Sequence, residues 1–362
     1  MAEIDFLLGA AFATQSALGT ATTMPTIGSG SGAGGAIDNV TDGAVLGDPS
    51  GGVAESGISF SLGRNSIDKA VVSGSFTRDF SDVSARTIDS FEMVVPMKGN
   101  GATASNPVVA SDFVLDDGIE ALYAAAGLTG GPVATFRSFT PTSTGIITSA
   151  LYFGNEGSNG GRIILRDLIA DSLTFDFTPG EIGRATYALS GNFDSYDESG
   201  SWPANPFDYG NQSSLSAPFI QGVSFRWGPD TPADRAIGFS ELSIAISNSV
   251  ETTPSSNSST GTVSRQSGRE IVISGTIDAT DAEFLYELDQ LGESSLANAE
   301  ALSFTVGTSA TVGATCNAYT FSISHPELRS LEPASLGGSQ AWAIELVCRD
   351  NAANGEFSLI YL

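Results

Sequence analysis

ELSIAIS, Glu241 to Ser247, sets Leu242, Ile244 and Ile246 against Ser243, Ala245 and Ser247. EIVISGTID, Glu270 to Asp278, then carries Ile271 and Ile273 in the same alternation. A period of two puts apolar side chains on one face of an extended strand and polar ones on the other. The polar connection between them predicts an antiparallel hairpin with a long loop, Ser249 to Gly268. Earlier in the chain GISFSL, Gly57 to Leu62, repeats the pattern with Ile58, Phe60 and Leu62, and AVVSGSFT, Ala70 to Thr77, is its expected return strand. With 42 glycines in 362 residues and only 15% charged residues, the composition suits many strands joined by turns. The expected class is mainly β.

Each hairpin is followed by one helix signal. LDDGIEALYAAAG places Leu115, Ile119, Leu122, Tyr123 and Ala126 on one face, with Asp116 as cap and Gly127 as stop. Downstream, Thr280 and Glu283 have capping-box spacing before Phe284, Leu288 and Leu291, and Gly292 is the stop. Asp116 and Asp281 are 165 residues apart, as are Gly127 and Gly292, and SFTPTS at Ser138 meets SFTVGTS at Ser303 at the same offset. SALYFG (Ser149 to Gly154) then answers AYTFSIS (Ala318 to Ser324). A closing hairpin, SLTFDFTPGEIGRATYALSG (Ser172 to Gly191), answers AWAIELVCRDNAANGEFSLIYL (Ala341 to Leu362). One offset kept across cap, stop and strand is the mark of an internal duplication. The Ser-Gly steps at Ser73 and Ser274 are 201 apart, so by subtraction the first half carries about 36 extra residues, assigned to an insertion at 81–113.

The expected organisation is an extended amino-terminal arm (1–56), a first module (57–200), a Pro- and Ser-rich linker (201–218) and a second module (219–362). Each module is expected to be a β-sandwich with one flanking helix. The formal net charge is -26, with two lysines and no basic residue before Arg64. Such a surface repels nucleic acid phosphates and anionic membranes. Glu3 and Asp5 stand where an export leader needs basic residues, and no apolar run has the ~20 residues of a membrane-spanning helix. The expectation is a soluble, cytoplasmically made chain with no membrane partner. Cys316 and Cys348 read as buried small side chains rather than a bridge.

Catalytic patterns are missing. The single histidine, His325, lies in SHPEL at a strand end, and no nucleophile elbow, P-loop, zinc-ligand spacing or dinucleotide fingerprint occurs. The glycine-rich GNEGSNGGR, Gly154 to Arg162, has no lysine and reads as a turn. Asp116 and Asp117 are explained by helix capping, and no D-x-D-x-D-G calcium loop is present. No enzyme activity, metal or cofactor is expected.

What remains is a pair of strand faces. Ile58, Phe60, Leu62, Leu173, Phe175, Phe177, Leu242, Ile244, Ile246, Ile271 and Ile273 form an apolar face; Ser59, Ser61, Ser73, Ser75, Thr174, Asp176, Ser243, Ser247, Ser274, Thr276 and Asp278 form a small, weakly acidic one. The hairpins ending in VSGSF, LSGNF or ISGTI, the helix DDGIEALYAAAG, the closing SLTFDFTPGEIGRATYALSGNFDSY and the start LLGAAFATQSALGTATTMPTI together resemble the tail tube, or major tail, proteins of long-tailed bacteriophages.

That resemblance implies a virion structural protein, assembled in the host cytoplasm, whose inner sheets join edge to edge into a β-barrel ring. Rings stack into a tube that DNA and a tape-measure protein occupy, capped by terminator and tip proteins. A duplicated module implies three chains per pseudo-sixfold ring. The polar face would line the lumen, where double-stranded DNA passes without specific binding. The arm, the insertion and the long loop would supply contacts between rings, through Phe6, Leu7, Phe91, Met93, Val95, Met97 and Val108. Two other readings share the composition: a capsid decoration or surface-layer subunit, and a carbohydrate-binding or adhesin module built on Trp202, Phe207 and Tyr209.

Overall fold

Period-two alternation, in the computed structural model of this chain, resolves into seventeen strands and one helix among the described residues. Those residues are 7–15, 43–45, 58–67, 82–99, 117–133, 136–154, 161–197, 217–221, 223, 225–227, 235–254, 262–278, 302–307, 317–323, 325–336, 339–349 and 355–362. The first half contains β1 (Leu7–Thr14), β2 (Gly43–Val45), β3 (Ile58–Ile67), β4 (Asp82–Pro96), α1 (Asp117–Ala125), β5 (Leu128–Val133), β6 (Phe136–Pro141), β7 (Ile147–Gly154), β8 (Gly161–Phe177) and β9 (Arg184–Asp197). The second contains β10 (Phe225–Trp227), β11 (Arg235–Pro254), β12 (Thr262–Asp278), β13 (Leu302–Val306), β14 (Tyr319–Ile323), β15 (Pro326–Leu336), β16 (Ser339–Cys348) and β17 (Ser358–Tyr361).

The strands form two antiparallel sheets, neither closed on itself. In the larger, eight strands run in the order β3, β4, β9, β8, β11, β12, β16, β15. β7, β1 and β2 extend it beside the amino-terminal half of β8. In the smaller the order is β10, β13, β14, β17, β6, β5. Both sheets cross from one half of the sequence to the other: β8 pairs with β11, and β17 pairs with β6. β11 belongs to both, its Arg235 to Ile237 pairing with β10 and its remainder with β12.

The sheets share a core of rings. Phe175 and Phe177 of β8 meet Phe321 and Phe304 of the smaller sheet edge-on at 5.0 Å between centroids. Such edge-to-face pairs add ~0.5–1.5 kcal/mol each beyond the area they bury. Tyr123 brings α1 into the same cluster, 4.9 Å from Phe139. The helix ends as its sequence signals: Gly127 has φ +81°, where a side chain is strained, and its N–H donates to the Ala124 carbonyl. Asp116, and the second helix expected after Thr280, lie outside the described residues, as do Val71 to Thr77, most of the linker, and Cys316.

Several expectations change. β3 pairs with β4, Ile58 opposite Met93 and Phe60 opposite Phe91, while AVVSGSFT, expected as its return strand, lies outside the described residues. The segment assigned to an insertion is therefore partly a central strand. The closing hairpin of the second half is β15–β16; β16 and β17 lie in different sheets. β11 and β12 stay paired out to Pro254 and Thr262, which shortens the long loop to 255–261. Part of the arm orders against its own chain: β1 pairs with β7 along its whole length, and Phe12 is buried beside Phe91. Behind it Gln15 Nε2 donates to Asp167 Oδ1 at 2.6 Å and Gln15 Oε1 accepts from Thr148 Oγ1 at 3.0 Å, which satisfies a buried polar cluster.

Candidate functional site

The large sheet has one face in the core and one outside. Leu173, Phe175, Phe177, Leu242, Ile244, Ile246, Ile271 and Ile273 are buried, and Phe60 and Leu62 at the sheet margin are partly buried. This is the apolar face read from the alternation.

The opposite face forms registered rows. One row runs Pro96, Arg184, Asp176, Ser243, Ser274, Glu345, Ser330 through seven strands. A second runs Val94, Thr186, Thr174, Ala245, Val272, Val347, Glu327. Thr276 stands beside Glu241, Ser247 beside Ser172 and Glu270, Asp278 beside Gly238, Ser59 beside Glu92, and Ser61 beside Ser90. Ser61, Asp176, Ser247, Ser274 and Asp278 are exposed, and Thr174, Ser243 and Thr276 are partly covered. Ser61, Thr174, Asp176, Ser243, Ser247, Ser274, Thr276 and Asp278 thus share one face across both halves; Ser59 is placed only by its ladder partner, and Ser73 and Ser75 lie outside the described residues.

Short side chains here bond to acids across the strands. Ser243 Oγ donates to Asp176 at 2.9 Å, and Thr276 Oγ1 donates to Glu241 at 3.3 Å. A shallow, open hollow of about 660 Å³ lies over Asp176, Ser243, Ser274, Ser330, Glu332 and Glu345. Arg329 binds Glu270 and also Glu345, the latter at 2.9 Å. Arg349 donates to Glu327 at 2.5 Å and holds that carboxyl below its ordinary range. Sequence reading missed Glu345 and Arg329. Glu345 was legible as the polar step of WAIEL, but Arg329 reaches this side only because β15 bulges between Leu328 and Ser330.

The Ser-Gly steps acquire a structural cause. A Cβ on Gly275 would stand 2.6 Å from the Glu241 carbonyl oxygen, beside the bulge of β11 between Phe239 and Glu241. A Cβ on Gly191 would stand 2.9 Å from the Arg166 carbonyl oxygen, beside the bulge in β8 where Asp167 has φ +53°. In both, glycine gives room for a neighbouring strand to carry an extra residue.

The residues expected to touch other rings divide. Phe91, Met93, Val95 and Met97 are buried within this chain, Met93 completely, so they are core groups rather than inter-ring contacts. Alternation along β4 points them inward. Leu7 lies in β1 opposite Gly154; Phe6 and Val108 are outside the described residues. Cys348 is a free, buried thiol, and burial pushes its pKa up to about 12. Among the described residues no three His, Cys, Asp or Glu side chains gather as a metal site.

No family model matches the chain, and no curated protein matches it.

Proposed function

We propose that this chain is the subunit of a phage-type tail tube, polymerising into rings of three that stack into a conduit for double-stranded DNA. The observation that carries the reading is the open eight-stranded sheet whose polar, weakly acidic face crosses both halves without interruption. Its strands fall into two groups of one order, β3, β4, β9, β8 and β11, β12, β16, β15. Ladder shifts also correspond, between Ala170 and Ser172 of β8 and between Leu328 and Ser330 of β15. That correspondence supports a duplicated module.

Three such sheets set edge to edge contain about 24 strands. At ~4.8 Å per strand and a tilt of ~40°, the ring is about 48 Å across at the backbone, wide enough for a duplex inside its inward side chains. Ring closure also removes the open edges. On the lining face Glu92, Asp176, Glu241, Glu270, Asp278, Glu327, Glu332 and Glu345 outnumber Arg184, Arg329 and Arg349. Its field repels phosphate and releases no counterions, so DNA slides without adhering. The tape-measure protein would occupy the same lumen, with terminator and tip proteins at the tube ends.

Negative-stain microscopy of the purified chain tests this. The expected images are hollow tubes or rings with threefold averages and a central hole. Flat lattices or shells would favour a surface-layer or decoration subunit, and monomers at every concentration would overturn assembly altogether.

A further inference from the structure

The chain contains, inside itself, one finished joint between its two four-stranded groups: β8 against β11. Leu242 stands opposite Phe177, Ile244 opposite Phe175 and Ile246 opposite Leu173, and all six are 0–2% exposed. On the other face Ser243 and Asp176 are hydrogen-bonded across the joint. The two outermost strands have no such neighbour: among the described residues β3 pairs only with β4, and β15 only with β16. Their apolar residues, Phe60 and Leu62 on β3 and Leu328 and Leu331 on β15, reach the core only partly buried.

We infer that β3 of one copy pairs antiparallel with β15 of the next, in the register that β11 and β8 use within the chain. This rests on the assembly reading above and names the joint it needs. The register is the one that superposes the ladder shifts of β8 and β15. Placing Ile58 on Leu242 puts Met93 on Gly275, because each is the ladder partner of the other pair. Tyr187 then falls on Ile344, and Leu173 on Leu331. The same steps put Thr174 on Glu332, Phe175 on Pro333 and Asp176 on Ala334. The joint therefore sets Leu62 opposite Leu331, Ser61 opposite Glu332, Phe60 opposite Pro333 and Ser59 opposite Ala334.

Each feature of the edges fits this occupant. Leu62 and Leu331 complete each other's burial as Ile246 and Leu173 do inside. β15 carries Pro326, Pro333, Glu327, Arg329 and Glu332, the prolines and charges by which an edge strand refuses indiscriminate partners. A partner that accepts such an edge must meet its charges with small or neutral groups. β3 does so with Ser59 and Ser61, where β11 presents Ser243 and Ala245.

Paired cysteines read the register. Directly opposed positions on one face have Cβ atoms ~4.5–5.5 Å apart, close to disulfide reach, whereas diagonal ones are ~7–8 Å apart. The chain carrying Ser61→Cys with Glu332→Cys, oxidised after assembly, should give a covalent ladder on a non-reducing gel that ends at three chains. Ser59→Cys with Ala334→Cys should do the same. The diagonal pair Ser61→Cys with Ala334→Cys should link at least fivefold more slowly. Ser243→Cys with Asp176→Cys reports the internal joint and should link within one chain. Tubes in which the internal pair links but neither opposed pair does would overturn the joint and leave the tube reading standing. Covalent trimers without tubes would support the joint and count against the tube. Equal linking of opposed and diagonal pairs, or no intermolecular link in any state, would overturn the joint.

Discussion

The hairpins β3–β4 and β11–β12 are built on one alternation, yet one lies inside the sheet and the other at its margin. In the interior hairpin Ile244 is wholly buried, with β8 beside it; in the marginal one Phe60 remains partly exposed. The interior hairpin is also fastened. Asn248 Nδ2 donates to the carbonyls of Ala126 and Ala170 at 3.1 and 3.0 Å, Gln266 Nε2 donates to Asn248 Oδ1, and Arg269 bonds the Thr142 carbonyl and Glu356. These bonds tie the second half to the end of α1 in the first. The same strand type is thus stable or incomplete according to what stands next to it, and the difference is measurable.

The sharpest break should come at Gly275. Gly275→Val pushes a branched side chain into the Glu241 carbonyl and the β11 bulge, and should destabilise the chain by about 3 kcal/mol or more in urea unfolding. Ile244→Ala should cost about 3 kcal/mol in the unassembled chain, against about 1–2 kcal/mol for Phe60→Ala, because only the first leaves a fully enclosed cavity. Equal losses would erase the distinction between interior and margin. Asn248→Ala should cost about 1–3 kcal/mol, since it strands buried carbonyls that water cannot reach, again by urea unfolding.

A subtler contrast is chemical: β9 carries Tyr187 where β16 carries Ile344. Tyr123 and Tyr361 have hydroxyls 2.8 Å apart, Tyr123 also bonds Tyr187, and burial raises all three pKa values well above 10. Each hydroxyl is neutral when folded, and its folded pKa exceeds its unfolded one. Their contribution is therefore fully present below about pH 10 and is lost as pH rises beyond it. Thermal midpoints should fall steeply between about pH 10 and 12, less so in Tyr187→Phe. A midpoint independent of pH in that range would contradict the buried tyrosine cluster.

The sequence made local features readable and left partner choice obscure. Gly127 as helix stop, the alternation of Leu173, Phe175 and Phe177, and the hairpins β8–β9 and β11–β12 depend on residues near one another, and all appear in the structure. SFEMVVPMKG reads as strand-like, and Phe91, Met93 and Val95 alternate cleanly, but its place beside β3 was missed because VVSGSFT offered a nearer match to the other Ser-Gly strands. The β16–β17 pairing failed for a related reason. Both segments alternate correctly, but β17 joins β6, more than 200 residues earlier, and no local pattern encodes so distant a ladder. For the candidate site, polarity and face were legible and function was not, since a row of serines and acids acquires meaning only from its neighbours across strands. The serine-glycine steps were legible as a repeated motif, but their cause, a bulge on the adjacent strand, required the fold.

β11 adds a mechanical consequence. Its backbone passes from the smaller sheet to the larger between Ile237 and Gly238, just before the Phe239–Glu241 bulge, so a covalent chain bridges the two layers at that corner. Under shear the layers are coupled there by peptide bonds as well as by side-chain contact. A load drawn along the larger sheet is passed to the smaller one, and yielding begins in the ladders at the margins.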